Sequence, residues 1–314
     1  MSLRVLPSPR PLRRPPELGP VPSRTRFRLP AVALLVPGYV LLFLSVVAPV
    51  LVVLVLALFD YDPLLGTADF VALDNFGRVL SSEEFRRALV NTAVYMLLTV
   101  PVTLAAAMLV ALGIHSVSWG GTFWRNVYFL PVASTMAAMA VAWRWLFYAD
   151  TGVIDATVGR LLGLEDWLHS TTLALPAVAV VGTWENVGFA VVMFLAGLAG
   201  VPPHLVEAAR LDGAGAWSRF WHVTWPALGP AVVFTLIITT RNALKVFDQV
   251  RVMTEGGPVS SSTTLSYLLW ERGIRFLDVG GGSVVTLALL VLILALTAIQ
   301  LATVGARWER AGTR

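Results

Sequence analysis

The 314-residue sequence contains no cysteine and only one lysine, Lys245, and just 13% of its residues are charged. The missing cysteine excludes disulfides, thiolate catalysis and thiolate metal centres together. The scarcity of charge excludes an ordinary soluble domain, whose surface carries roughly a quarter of the residues as charged side chains. No glycine-rich phosphate loop of the Gly-x-x-x-x-Gly-Lys-Ser/Thr kind occurs, so the chain is not expected to hydrolyse ATP itself. The four histidines, His115, His169, His204 and His222, show no metal-ligand spacing and read as solvated residues in connectors. No nucleophile and base stand together, which makes an intramembrane enzyme the least supported class. What is abundant is apolar: 57% of residues are hydrophobic, so hydrocarbon must be part of the solvent. The net charge of +4 is then a topology signal and needs no nucleic-acid partner.

Uncharged stretches of about 20 residues mark candidate spans. They occur at Ala31–Phe59, Leu89–Leu112, Val127–Phe147 (interrupted late by Arg144), Leu173–Gly200 (containing Glu185), Pro226–Thr240 extended at either end, and Ser283–Val304. The fold class read from this is an all-α polytopic membrane protein with about six transmembrane helices. Pro37 and Pro226 suit first helical turns, and Pro49, Pro101 and Pro131 are expected to kink their helices. The two halves show no matching broken spans of the kind found in many secondary transporters.

Residues 1–30 form a tail rich in proline and arginine, read as disordered and too long and polar for a cleavable leader. With that tail inside, the inner segments gather Arg125, Arg210, Arg219, Arg307, Arg310 and Arg314, while most acids fall outside. The positive-inside rule therefore predicts both termini in the cytoplasm. The domain reading is a first transmembrane helix at 31–59, an extracytoplasmic loop at 60–88, a core at 89–304 with a cytoplasmic loop at 202–225, and a tail at 305–314. Tryptophans near span ends, Trp119, Trp124, Trp143, Trp145, Trp167, Trp221, Trp225 and Trp308, read as interface anchors.

The loop between spans four and five is the most informative segment. It reads as a short helix opening at Pro203, stopped by Gly213, and followed by a second short helix through Trp221 and Trp225. On the residues alone it could equally be an amphipathic connector lying under the bilayer. The run Glu207-Ala208-Ala209, then Asp212-Gly213-Ala214, with Pro226 about a dozen residues on, resembles the "EAA" loop of binding-protein-dependent ABC importer permeases. Further stretches resemble its carbohydrate branch, of the maltose and glycerol-3-phosphate permease kind. These are Phe123-Trp124-Arg125 with Phe129-Leu130-Pro131, Trp143-Arg144-Trp145-Leu146-Phe147 with Gly152, Trp184-Glu185-Asn186-Val187-Gly188-Phe189 before Leu195-Ala196-Gly197-Leu198, and Phe247-Asp248 before Thr254-Glu255-Gly256-Gly257-Pro258. The likeness covers roughly 31–304. The sequence departs from the family where Trp270, Phe276 and Gly280-Gly281-Gly282 replace a tyrosine-rich stretch, and where Asp155 stands for a common asparagine.

The resemblance implies a type I ABC importer permease fold in a bacterial inner or plasma membrane. The implied partners are a second homologous permease, two copies of a cytoplasmic ATP-binding subunit and an extracytoplasmic solute-binding protein, besides membrane lipid. No cofactor would be bound by this chain, since ATP and Mg belong to the ATPase. The ATPase-coupling residues implied are Glu207, Ala208, Ala209, Asp212, Gly213 and Ala214. The cargo implied is a sugar, oligosaccharide or glycerol-phosphate compound.

Polar residues within spans are costly, on the order of 3 kcal/mol for a central carboxylate by insertion scales, and so mark a cavity or a partner. Two readings of Glu185 stand side by side. With Asn186 it lines a translocation path, or it pairs with Arg144 or Arg241 for assembly. Asn242 is the candidate hydroxyl-binding residue of span five, while Arg241 and Lys245 can snorkel. Phe247 and Asp248 contact cargo or binding protein, or cap their helix. A gradient-driven transporter and a non-transporting scaffold remain the rival classes. The first predicts coupled sets of intramembrane carboxylates, where only Glu185 is visible.

Overall fold

The computed structural model describes residues 28–117, 120–164 and 166–305. The expected tails at 1–30 and 305–314 lie outside them except for Arg28–Pro30 and Gly305. Trp119 and Trp308 lie outside as well. The chain divides into two compact units after Leu51. Helical structure begins at Arg28 and passes through Pro37, which therefore lies inside the helix and not in its first turn. A π-turn at Phe43–Val47 interrupts it just ahead of Pro49. The membrane-length part is α1, Leu34–Leu56.

The second unit opens with a hairpin of β1 (Phe59–Asp62) and β2 (Thr67–Phe70), paired antiparallel with Phe59 opposite Phe70. The span expected to reach Phe59 thus ends at Leu56, and among the described residues the fold is all-α apart from this two-stranded sheet. Asp62 builds the turn between the strands, because its Oδ1 accepts from Leu64 N (2.8 Å) and Leu65 N (3.1 Å). The region expected as a plain loop at 60–88 also holds α2 (Asp74–Leu80) and the first turn of α3 (Glu83–Ser116). Ser82 starts α3 early by accepting from Phe85 N at 3.2 Å, with Glu83 and Glu84 at the positive helix end.

Beyond α3 come α4 (Gly121–Ala133) and α5 (Met136–Leu146), bent by 97°. The bend sits at Ser134 and Thr135, both extended, after the 3₁₀ turn that holds Pro131. Then follow α6 (Ala174–Ala199), α7 (Pro203–Leu211), and α8 (Ala216–Ala227) bent by 70° against α9 (Gly229–Leu244). The chain closes with α10 (Leu265–Trp270) and α11 (Val279–Gly305). Among the described residues four helices are long and apolar enough to span, or six if each bent pair is one span. Broken helices therefore exist in both halves, contrary to the sequence reading. Their signals, Ser134-Thr135 and Leu228-Gly229, lie inside apolar runs that hydropathy reads as continuous.

The centre of the unit is the packing of α3 on α6. Ala88, Thr92, Tyr95, Thr99, Thr103, Ala107 and Ala111 recur at helical spacing and are all buried. On α6 the buried set mixes small residues such as Ala177, Gly182, Gly188 and Ala190 with Leu175, Phe194, Leu195 and Leu198 towards its ends. Lipid offers no hydrophobic drive between helices, so close approach of small residues supplies the attraction. The threonines cost nothing in polarity, because Thr92 Oγ1 donates to Ala88 O (2.7 Å) and Thr99 Oγ1 to Tyr95 O (2.8 Å). This packing also carries α3 unbroken through Pro101, where the sequence predicts a kink.

Asp155 proves to organise the 147–173 connector. It is buried, and its two oxygens accept from Asp150 N (2.9 Å) and Asp166 N (3.1 Å), both donors being residues with positive φ. Trp167, expected as an interface anchor, is only 9% exposed and packs on Phe147 with ring centroids 5.7 Å apart.

A matched pair of substitutions tests the packing. A Cβ at Gly188 would run into the backbone carbonyl of Tyr128, whereas one at Gly113 meets nothing within 4 Å. Gly188→Ala should lower stability by about 1–3 kcal/mol, as overpacking does. Gly113→Ala should hold or raise it by about 0.5–1 kcal/mol through helix propensity. Thermal melting in detergent checks both.

Candidate functional site

The five residues singled out within or just beyond the spans, Glu185, Asn186, Asn242, Phe247 and Asp248, all line one cavity of about 250 Å³. Glu185 and Asn186 reach it from the middle of α6, and Asn242 from the last turn of α9. Phe247 and Asp248 follow where α9 ends and the chain turns. Arg241, Lys245, Gln249, Tyr95 and Met136 complete the chemistry of the wall.

The polar contacts decide which groups remain available. Asn242 Nδ2 donates to Asn186 Oδ1 at 2.9 Å, and Asn186 Nδ2 donates to Gly182 O at 2.8 Å. Asn186 thus joins α9 to α6 through its carbonyl oxygen and is held on its own helix through its amide nitrogen. Glu185 Oε2 accepts from Gln249 Nε2 at 2.7 Å. Its partner is an amide and neither of the arginines named from sequence. The Arg144 guanidinium donates instead to Val252 O at 3.2 Å, outside this cavity. An amide donor satisfies the carboxylate without cancelling its charge.

Phe247 stands in an aromatic group with Tyr267 (6.4 Å between centroids) and Trp270 (5.7 Å), and the Arg251 guanidinium lies 4.5 Å over the Trp270 ring. Gln249 and Tyr95 are the polar wall residues that sequence reasoning missed, beside the apolar Met136 and Val246. Gln249 could have been suspected, as an amide directly after Phe247-Asp248 in an apolar setting. Tyr95, 2% exposed, gave no local signal, since its place comes from the seat that Gly182 leaves for its ring.

The second sequence-predicted group forms a separate site at the far end of α6. Pro203 opens α7 as its first residue, after Pro202 in extended conformation. Gly213 has φ +78°, the left-handed conformation that ends a helix. The turn closes through Asp212 N to Ala208 O (3.0 Å) and Ala214 N to Ala209 O (2.9 Å), and Arg219 Nη1 braces it by donating to Ala214 O at 2.6 Å. Glu207, Ala208, Asp212 and Gly213 are exposed, and Leu211 beside them is 90% exposed. The segment is an exposed two-helix elbow carrying a bare leucine, with no residue of α7 buried.

On the opposite side of the unit, Arg272 bonds Glu84 (2.6 Å) and Asp278 (3.5 Å), and Arg78 bonds Asp278 (3.3 Å), tying α2, α3 and the 271–278 turn together. Burial pushes the nearby Glu271 carboxyl above its ordinary range, opposed by Arg275 at 3.1 Å. Among the described residues no cluster of metal-ligating side chains is present.

Comparisons with known proteins place these features in a family. Residues 75–307 match the family described as binding-protein-dependent transport system inner membrane component. The chain is 34% identical over 280 residues to the sulfoquinovosyl glycerol transport system permease protein SmoG of Agrobacterium fabrum, covering 87% of this chain and 90% of that protein. It is 31% identical over 235 residues to the sn-glycerol-3-phosphate transport system permease protein UgpA of the same organism, covering 74% and 80%. In fold it is similar to a chain of a bacterial ABC transporter involved in the import of alginate, with a TM-score of 0.75 at 21% identity, covering 88% of this chain and 96% of that one. With the cavity, the exposed elbow and the spans in place, the chain belongs to the family of inner-membrane permease components of binding-protein-dependent ABC importers.

Proposed function

We propose that this permease lines half of a translocation path for a small polyhydroxylated cargo and is driven through the 202–225 elbow by a separate ATPase. The observation that carries the reading is the convergence of Glu185, Asn186, Asn242, Phe247 and Asp248 on one cavity between the two helices that the elbow connects. In this reading both termini and the elbow face the cytoplasm, as the positive-inside rule requires. The hairpin and the 147–173 and 246–278 connectors face the binding protein. A second permease completes the path, and two ATP-binding subunits, which hold the ATP and Mg, sit beneath.

Movement of the elbow has a direct mechanical route. From Glu185 to the end of α6 the helix spans roughly 20 Å at 1.5 Å per residue, and α9 returns a similar length to Asn242. A push at Glu207-Ala208-Ala209 therefore reaches the Asn186–Asn242 hydrogen bond along two stiff rods. Asp212-Gly213-Ala214 keeps the elbow angle fixed. ATP binding would close the ATPases and open the cavity outward beneath the loaded binding protein, and hydrolysis would reset it.

The wall supports a neutral cargo, because Arg241 and Lys245 are matched by Glu185 and Asp248. Amides and carboxylates of this kind bond sugar and glycerol hydroxyls well. SmoG and UgpA by name serve glycerol compounds that carry a sulfo or a phosphate group, so this chain's wall shares with them the hydroxyl-bearing part of the cargo and not its charge. A phosphorylated glycerol is the second reading, favoured by the two cations and by the cargo named for UgpA.

Two substitutions test the two halves of the proposal. Gly213→Asp places a side chain at φ +78°, which costs about 1–2 kcal/mol for an L-residue. It should abolish uptake while the protein still inserts in the membrane, and normal uptake would remove the coupling role. Asn242→Ala loses one hydrogen bond worth about 0.5–1.5 kcal/mol. It should raise the half-saturation concentration for uptake roughly 3- to 10-fold with the assembly intact. An unchanged value would take Asn242 off the path.

A further inference from the structure

At the elbow end of the unit two recesses adjoin, one of them walled in part by Glu207 and Arg210 of the elbow. One is an apolar groove of about 690 Å³ among Leu104, Met108 and Leu109 of α3, Phe194 of α6, Trp217 of α8 and Val232 of α9. The other is a recess of about 660 Å³ with a largely apolar wall, in which the basic side chains His115, Arg210 and Arg219 outnumber the single acid Glu207. They share Leu112, Ala216 and Phe220, so an apolar chain in one continues into a polar head in the other. His115 also lines a third recess with Arg125, which extends the basic rim.

The surroundings fit a lipid. The groove opens on membrane-length helices, where Leu109 is 71% exposed, and Trp217 at its mouth is 74% exposed. Trp217, Phe220, Trp221 and Trp225 form a continuous ring cluster with centroids 5.2–6.3 Å apart. Aromatic groups of this kind sit at headgroup level. Neither Arg210 nor Arg219 has a carboxylate partner among the described residues, and a planar guanidinium matches a phosphate's paired oxygens.

We propose that this surface binds one anionic glycerophospholipid, with an acyl chain in the groove and its phosphate at Arg210 and Arg219. The lipid then fastens α8 to the bundle, and the site stands on binding alone, whatever the elbow transmits.

Native mass spectrometry of the purified, assembled importer tests this with phosphatidylglycerol and phosphatidylcholine as probes. Phosphatidylglycerol should be retained at least tenfold better than phosphatidylcholine. The double substitution Arg210→Gln/Arg219→Gln should remove that preference. Ala105→Phe changes an exposed groove residue and leaves both arginines, and it should lower retention of phosphatidylglycerol at least tenfold. Equal retention of the two lipids, or a preference that survives these substitutions, would overturn the site. So would an assembled importer that takes up no lipid because a partner's segment covers the groove. Readout as bound mass keeps the result separate from any loss of transport.

Discussion

The seat of Tyr95 on Gly182 is the contact on which the rest of the arrangement turns. A side chain at residue 182 would collide with the Tyr95 hydroxyl, so glycine there lets α3 and α6 close on one another. In hydrocarbon that closeness is the main source of helix attraction. It also fixes the rotation of α6, turning Glu185 and Asn186 towards α9 and the 246–249 turn. The cavity is a by-product of the packing register, since a helix rotated by one residue would move both polar groups by about 100°.

The same helix joins the two functional ends. α6 carries Glu185 and Asn186 of the cavity wall and runs directly into Pro202 and the elbow, and α9 leaves the elbow and carries Arg241 and Asn242, with Lys245 to Gln249 following it. Gly197 keeps the two together near the elbow, because a Cβ there would lie 2.7 Å from Ala231 Cβ. At the other end the amides of Asn186 and Asn242 join the same pair of helices. Small residues and a polar clasp thus hold one hairpin of helices, and the proposed transport stroke is a change in how that hairpin meets its partners.

What could be read from sequence follows from which forces are local. The spans were legible from apolar run length, and the elbow from Pro203 and Gly213, because proline and glycine act on their own backbone. Glu185, Asn186 and Asn242 were legible because polarity in an apolar run is conspicuous. The partner of Glu185 was not, because Gln249 reaches it across a tertiary contact that opposite charge does not predict. The break at Ser134-Thr135 and the hairpin after Leu56 were hidden as well. The break sits in a run whose apolar composition continues while the backbone turns, and the hairpin's short strands around Asp62, Pro63 and Gly66 carry too little apolar alternation to tell from a loop. Asp155 read as a variation at the outer surface, yet its neighbours' amides make it the staple of a connector.

In the proposed function, α7 is the part of this chain that meets the ATPase. The absence of cysteine makes a direct measurement possible, since any cysteine introduced is unique in the chain. Ala208→Cys on α7 and Leu64→Cys on the hairpin would each carry a photoactivatable maleimide in transporting membranes. The account predicts that position 208 crosslinks to the ATP-binding subunit, with a yield that changes on adding ATP, and that position 64 does not. An ATP-binding subunit captured from position 64, or none captured from position 208 in membranes that transport, would contradict it.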